Sequence, residues 1–163
     1  MTAATAPKGQ LLDTTPSTKF APIAAFRLAD YLTLGTMIGS NRVTYVGPNF
    51  LKHFGEVEES NIPAVELKSY ALNAWTLDQP VLDTLGVGEQ EDPFLAHMIE
   101  VLKLGASGPG LFNGYSNLHY KRSPKDGRLW TPHWYMRGDR LGFGALPVGD
   151  VVGWEIGDRF YRV

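Results

Sequence analysis

Four turn dipeptides punctuate the last third of the chain, and their spacing constrains the fold more than any other feature. Asp126-Gly127, Gly138-Asp139, Gly149-Asp150 and Gly157-Asp158 follow one another at intervals of 12, 11 and 8 residues. Glycine supplies the positive φ that a tight hairpin turn demands, and segments this short hold single strands rather than helices. Between the first two turns, Trp130, Trp134 and Met136 fall on one side of an alternating pattern. Thr131, His133, Tyr135 and Arg137 fall on the other. The spacing predicts an antiparallel β-meander from about residue 112 to residue 163. With Pro124–Gly127 as the connecting loop, Leu118 opposes His133 and His119 opposes Pro132, which sends the two histidines to opposite faces.

The preceding part reads differently. Phe26, Leu28, Tyr31, Leu32 and Leu34 match a helical spacing over Ala24–Met37, with Gly39 as a stop. Arg42–Val46 reads as a short strand ahead of the Gly47-Pro48 breaker, and Asn49 stands as a helix cap before Phe50, Leu51 and Phe54. Glu56, Glu58 and Glu59 read as a solvated turn. Val65–Leu77 fits both periods; a strand is preferred because Asp78 and Pro80 open a short helix that Gly86 closes. Pro93–Leu104 is the clearest helix, with Asp92 as its cap and Leu95, Met98, Ile99 and Leu102 on one buried face. The expected fold class is therefore α+β: an acidic helical N-terminal part with one or two short strands, then the C-terminal meander. Residues 23–163 would form one domain.

Residues 1–22 read as an extended arm. Pro7, Pro16 and Pro22 disfavour helix, and Leu11, Leu12 and Phe20 are its large apolar anchors. Such an arm is expected to dock on another subunit of the same or a larger assembly. The competing expectation is that it folds back along the chain's own sheet edge. It lacks the continuous apolar core of a signal peptide, and Ile23–Ile38 is interrupted by Arg27 and Asp30 and is too short to span a bilayer. No membrane association is expected, and the cytoplasm, or a virion for a virus-encoded chain, is the expected location.

The chain has no cysteine, which removes disulfides, thiolate nucleophiles, cysteine zinc sites and Fe–S clusters. A net charge of −2 gives no strong general attraction to polyanions. Charge is nevertheless divided. Residues 1–110 hold seven Lys and Arg against twelve Asp and Glu, whereas residues 111–163 hold eight against five. The second part also carries 10 of the 19 aromatic residues, so the expected sheet is basic and aromatic.

The candidate binding residues follow from that division. Tyr120, Lys121, Arg122, Arg128, His133, Tyr135 and Arg137, with Lys125, lie on two adjacent expected strands and their turn. Aromatic rings among Arg and Lys can stack bases and neutralise phosphates; equally, a small sheet needs aromatic residues for its core and a charged outer face. No catalytic residue is marked and no metal or cofactor is expected. No two histidines share the i, i+4 spacing of a helical zinc site, and His97 with Glu100 is half of a carboxylate-bridged motif. The glycines at 86–88 and 105–110 lack the Lys-Ser/Thr of a phosphate loop, and Gly114-Tyr115-Ser116 lacks the final glycine of a nucleophile elbow. Three functional readings remain, in order. The first is a non-enzymatic structural or interaction protein of a larger assembly, such as a minor virion component or accessory subunit. The second is a single-stranded nucleic-acid or glycan binding module using the basic sheet. The third is a hydrolase assembled from distant residues such as His119 and His133.

Overall fold

Strands are built from both ends of the chain. The computed structural model describes residues 10–86 and 93–163. Its strands are β1 (Leu12–Phe20), β2 (Ile23–Arg27), β3 (Met37–Ile38), β4 (Asn41–Val46), β5 (Glu58–Ile62), β6 (Val65–Leu72), β7 (Asn117–His119), β8 (Lys121–Arg122), β9 (Leu129–Arg137), β10 (Arg140–Pro147) and β11 (Arg159–Arg162). The helices are α1 (Pro48–Phe54), α2 (Asp78–Leu85) and α3 (Ala96–Leu104). Nine strands make one mixed sheet in the order β1-β6-β11-β7-β9-β10-β4-β3, with β8 beside β9, and β2 pairs with β5 in a separate ribbon.

This corrects the expected α+β class. The chain is mostly β, 43% strand and 21% helix, and its helices are few and short. The expected helical N-terminal part is not there: six strands precede residue 73. The apolar run after Pro22 misleads because Phe26 and Leu28, both buried, satisfy a two-residue period as well as a helical one. Pairing of Phe26 with Glu59 decides for strand, and Leu28–Tyr31 is only a 3-10 turn. The C-terminal part is not a simple meander either. The β9–β10 hairpin forms as expected through Gly138-Asp139, but β10 then pairs parallel to β4. After residue 147 the chain crosses back, and β11 inserts between β6 and β7, parallel to β7.

Smaller expectations fare better. Leu118 does oppose His133, and Lys121 opposes Trp130 in the same register, so β7 and β8 are one line against β9 interrupted at Tyr120. The strand at 42–46, the strand after Val65, and the helix from Asp78 to a left-handed Gly86 (φ 65°) are all present. At α1 the cap position is Gly47, not Asn49, and Pro48 takes the first turn. Part of the expected arm, Leu12–Phe20, is β1 and pairs antiparallel with β6. The pairing shifts register between Thr15 and Thr18, around Pro16, which an edge strand tolerates.

The sheet has two differently covered faces. Against the first lie α1, α3 and the β2–β5 ribbon, with Phe50, Phe54, Leu95, Met98, Ile99, Leu102, Trp134 and Phe143 in one buried cluster. All four expected core residues of α3 are buried, and Ala96, His97 and Val101 are buried too, so this helix is enclosed nearly all round. The expected cap Asp92 lies outside the described residues. Instead, Glu59 of β5 accepts the backbone N–H groups of Leu95 and Ala96 at 3.0 and 2.9 Å. Glu59 is thus no solvated turn residue; burial raises its pKa, opposed by those N–H groups and by Lys121 at 3.6 Å. Glu59→Ala should cost about 1–3 kcal/mol, the scale of a lost charged cap. Urea unfolding measures that loss, and amide exchange should quicken first in the opening turn of α3. The second face carries α2 over Leu12, Leu72, Leu118, Tyr120 and Phe160, and covers only part of the sheet.

Candidate functional site

The uncovered part of the second face is where β9, β10 and β4 run side by side. Across the β9–β10 hairpin, Arg137 faces Arg140, Tyr135 faces Gly142 and His133 faces Gly144. Opposed residues share a face, so the outward positions of β10 next to the two rings carry no side chain. The rings fill that space. A Cβ added to Gly142 would lie 2.6 Å from the Tyr135 ring, and one on Gly144 would lie 2.7 Å from His133 Nε2. Glycine here permits aromatic side chains to lie flat across the neighbouring strand, as in cross-strand rescue of glycine.

Tyr45 of β4 pairs with Gly142 and completes the floor, half exposed itself. Two adjoining hollows of about 640 and 320 Å³ share Tyr45 and Tyr135. Thr44, Arg137 and Arg140 rim the first; His133, Gly144, Pro48 and Asn49 line the second. The Arg137 guanidinium sits 5.4 Å from the Tyr135 ring centroid, within cation–π range. Arg42 is opposite Arg140 in the β10–β4 register, which adds a third arginine position to this edge. Among the described residues neither Arg137 nor Arg140 is within ion-pair distance of a carboxylate. His133 Nδ1 donates to the Thr131 carbonyl at 3.0 Å, and burial lowers its pKa, so the ring is neutral with Nε2 as acceptor. The hollows thus offer flat π surfaces and positive charge. Among the described residues no carboxylate lines them.

The expected binding residues are therefore split. His133, Tyr135 and Arg137 belong together. Arg128 is exposed at the far end of β9, roughly 30 Å from Arg137 at the rise of an extended strand. Tyr120 is buried under α2; its hydroxyl donates to Asp78 at 3.0 Å, and burial followed by the Asp78 charge pushes its pKa far up. Lys121 is on the opposite face, buried, with Nζ donating to the Pro93 carbonyl at 2.9 Å. Arg122 Nη1 donates to the Gly127 carbonyl at 3.2 Å. Alternation along 120–122 and the length of β9 prevent one cluster.

Two polar constellations were invisible in the sequence. Asp78, at the start of α2, accepts from the Tyr120 hydroxyl, from Trp154 Nε1 at 2.8 Å and from the Gly149 N–H at 3.3 Å. His53 of α1 meets Ser123 Oγ at 2.8 Å and Asp126 Oδ2 at 3.9 Å. The second resembles a hydrolase triad only in composition. Both partners address the same nitrogen, Nδ1, whereas a relay needs one on each side of the ring. Ser123 is buried, Oγ also accepts the Lys125 N–H, and the His53 ring lies 3.9 Å from Trp130. These contacts fix the β8–β9 loop to α1. The histidine pair of the hydrolase reading is divided by the sheet, with His119 stacked on Tyr161 at 4.9 Å on the first face. Among the described residues, no three His, Asp or Glu side chains gather to hold a metal ion, and no helix is long and apolar enough to cross a membrane.

No protein-family model, no curated protein and no solved structure matches this chain.

Proposed function

We propose that the protein is a non-enzymatic interaction module of a larger assembly, and that it binds an acidic partner surface through the open part of its second sheet face. The observation that carries this reading is the pairing of two outward glycines of one strand with half-covered rings and exposed arginines. Tyr45, Tyr135 and His133 beside Gly142 and Gly144 form an aromatic floor, and Arg137 and Arg140 stand at its rim. Aromatic and arginine side chains are the residue types that anchor interfaces. Residues 12–20 are engaged with β6, so the open face rather than the arm is the contact with the most to offer.

The Arg137–Tyr135 contact also favours the second reading, a single-stranded nucleic acid with bases stacked on the tyrosines and phosphates on the arginines. Calorimetric titration at low salt with polyglutamate and with an oligothymidylate separates the two. Polyglutamate should bind, and Arg137→Ala with Arg140→Ala should weaken it at least tenfold. A preference for the oligonucleotide, with a salt slope near −0.7 per phosphate contact, would replace the protein-partner reading. Absence of binding by both probes, or binding that the double variant leaves intact, would remove this face as the site.

A further inference from the structure

A second surface lies beside the groove and is its opposite in character. An antiparallel bridge joins Thr76 to Trp154, whose side chains turn inward and are buried. Their neighbours point away from the sheet. Trp75 is 61% exposed and lies where a side chain on Gly153 would stand, with the indole 2.3–2.5 Å from that Cβ position. Val151 is 87% exposed and Ile156 61%, with Leu77 and Val152 also open. Together they expose on the order of 500 Å² of apolar surface, at the upper end of what monomers usually carry in one patch. The segment 146–158 holds no Lys or Arg and sets Asp150 and Glu155 at its surface, Asp158 being buried, so this knob is apolar and acidic.

Knob and groove share one face of the molecule. Trp154 at the base of the knob meets His133 of the groove edge-on at 5.5 Å, and Leu146, which lines the groove, leads into the knob segment. From this we infer that the acidic partner is a second copy of this chain, each copy seating its Val151–Ile156 knob in the other's groove. This rests on the open face being the binding surface. The charges are complementary only in that arrangement: knob on knob sets Glu155 against Glu155, and groove on groove sets arginine against arginine. Because both halves lie on one face, two reciprocal contacts close around a two-fold axis, residue i on j and j on i.

Sedimentation velocity at low salt tests this with two full-length charge variants, both at exposed positions. The first is Arg137→Glu with Arg140→Glu; the second is Val151→Lys with Glu155→Lys. The wild type should dimerise with rising concentration, and each variant alone should dimerise at least tenfold more weakly with its melting temperature unchanged. Mixing the two variants should restore a dimer, since each then presents the charge its partner lacks. Acrylamide quenching gives an independent reading, because Trp130, Trp134 and Trp154 are buried and Trp75 is the exposed indole. Quenching should fall as the dimer forms. A wild type still monomeric at ~200 μM overturns the second copy as partner; polyglutamate binding lost with Arg137 and Arg140 would still uphold the groove. A monomer that floats with phosphatidylcholine vesicles assigns the knob to a bilayer and overturns the inference too. So does a dimer that both variants leave intact, or one in which Trp75 stays fully quenchable.

Discussion

Asp78→Ala is expected to destabilise the fold by roughly 2–6 kcal/mol, the penalty of leaving two buried donors unmade. Asp78 is almost wholly buried, and its two oxygens collect the Tyr120 hydroxyl, the Trp154 indole N–H and the Gly149 N–H. Each donor left without a partner in the interior costs about 1–3 kcal/mol. The three come from β7–β8, from the knob and from the loop after β10, so one carboxylate ties α2 to three separated segments of the second face. Urea unfolding of Asp78→Ala measures the loss. Tyr120→Phe guards against a variant that does not fold: it removes one donor together with its hydroxyl and should cost only about 0.5–1.5 kcal/mol. Equal losses for the two variants would mean that Asp78 does not organise the network. The knob depends on the same carboxylate, so Asp78→Asn should also loosen the setting of Trp75, read as increased acrylamide quenching.

Acid should weaken the fold well above the pH at which carboxylates titrate. His119 is enclosed on the first face with Nε2 lacking a partner among the described residues, and burial, with His97 nearby, lowers its pKa to about 3. Burial also lowers the pKa of His97, whose two ring nitrogens lack partners among the described residues, and of His133. Below pH 6.5 the unfolded chain binds protons at these positions and the folded chain resists them. Stability therefore rises with pH across this window and is lost as pH falls from about 6.5 towards the folded pKa values. For His119 alone the loss at pH 4 is about 3 kcal/mol, from 1.36 kcal/mol per pH unit. Glu59 and Asp158, whose pKa values burial raises, act in the opposite sense at the acid end. Unfolding free energies from pH 7.5 to 4 should fall with His119 present, and His119→Phe should flatten the limb. An unchanged slope in that variant would place the titration elsewhere.

What could be read in the sequence was local, and what could not was pairing at a distance. Asp78, Pro80 and Gly86 mark α2 because cap, first-turn proline and left-handed glycine are chemical requirements of helix ends. The Leu118–His133 register follows from one loop and a period of two. By contrast, β1 meets partners 45 to 60 residues away in β6, β10 lies parallel to β4, and β11 inserts between β6 and β7. Nothing in a hydrophobic pattern records which strands become neighbours, and the run after Pro22 fits a helix as well as a strand. Half of the groove is legible in the sequence. Once Gly138-Asp139 is taken as a two-residue turn, Gly142 and Gly144 fall opposite Tyr135 and His133, and the bare strand beneath the rings follows. Tyr45 had no such signal, because it enters through the parallel β4–β10 pairing.

We place binding on the open part of the second face. At 18.0 kDa the chain is suited to residue-resolved amide spectra. Chemical-shift mapping during a polyglutamate titration at low salt therefore tests the claim most directly. Shifts should concentrate at Tyr45, His133, Tyr135, Arg137, Arg140, Gly142 and Gly144, while Lys121, Arg122 and Arg128 stay still. Shifts centred on the β8–β9 loop, or spread evenly over the exposed lysines and arginines, would contradict it.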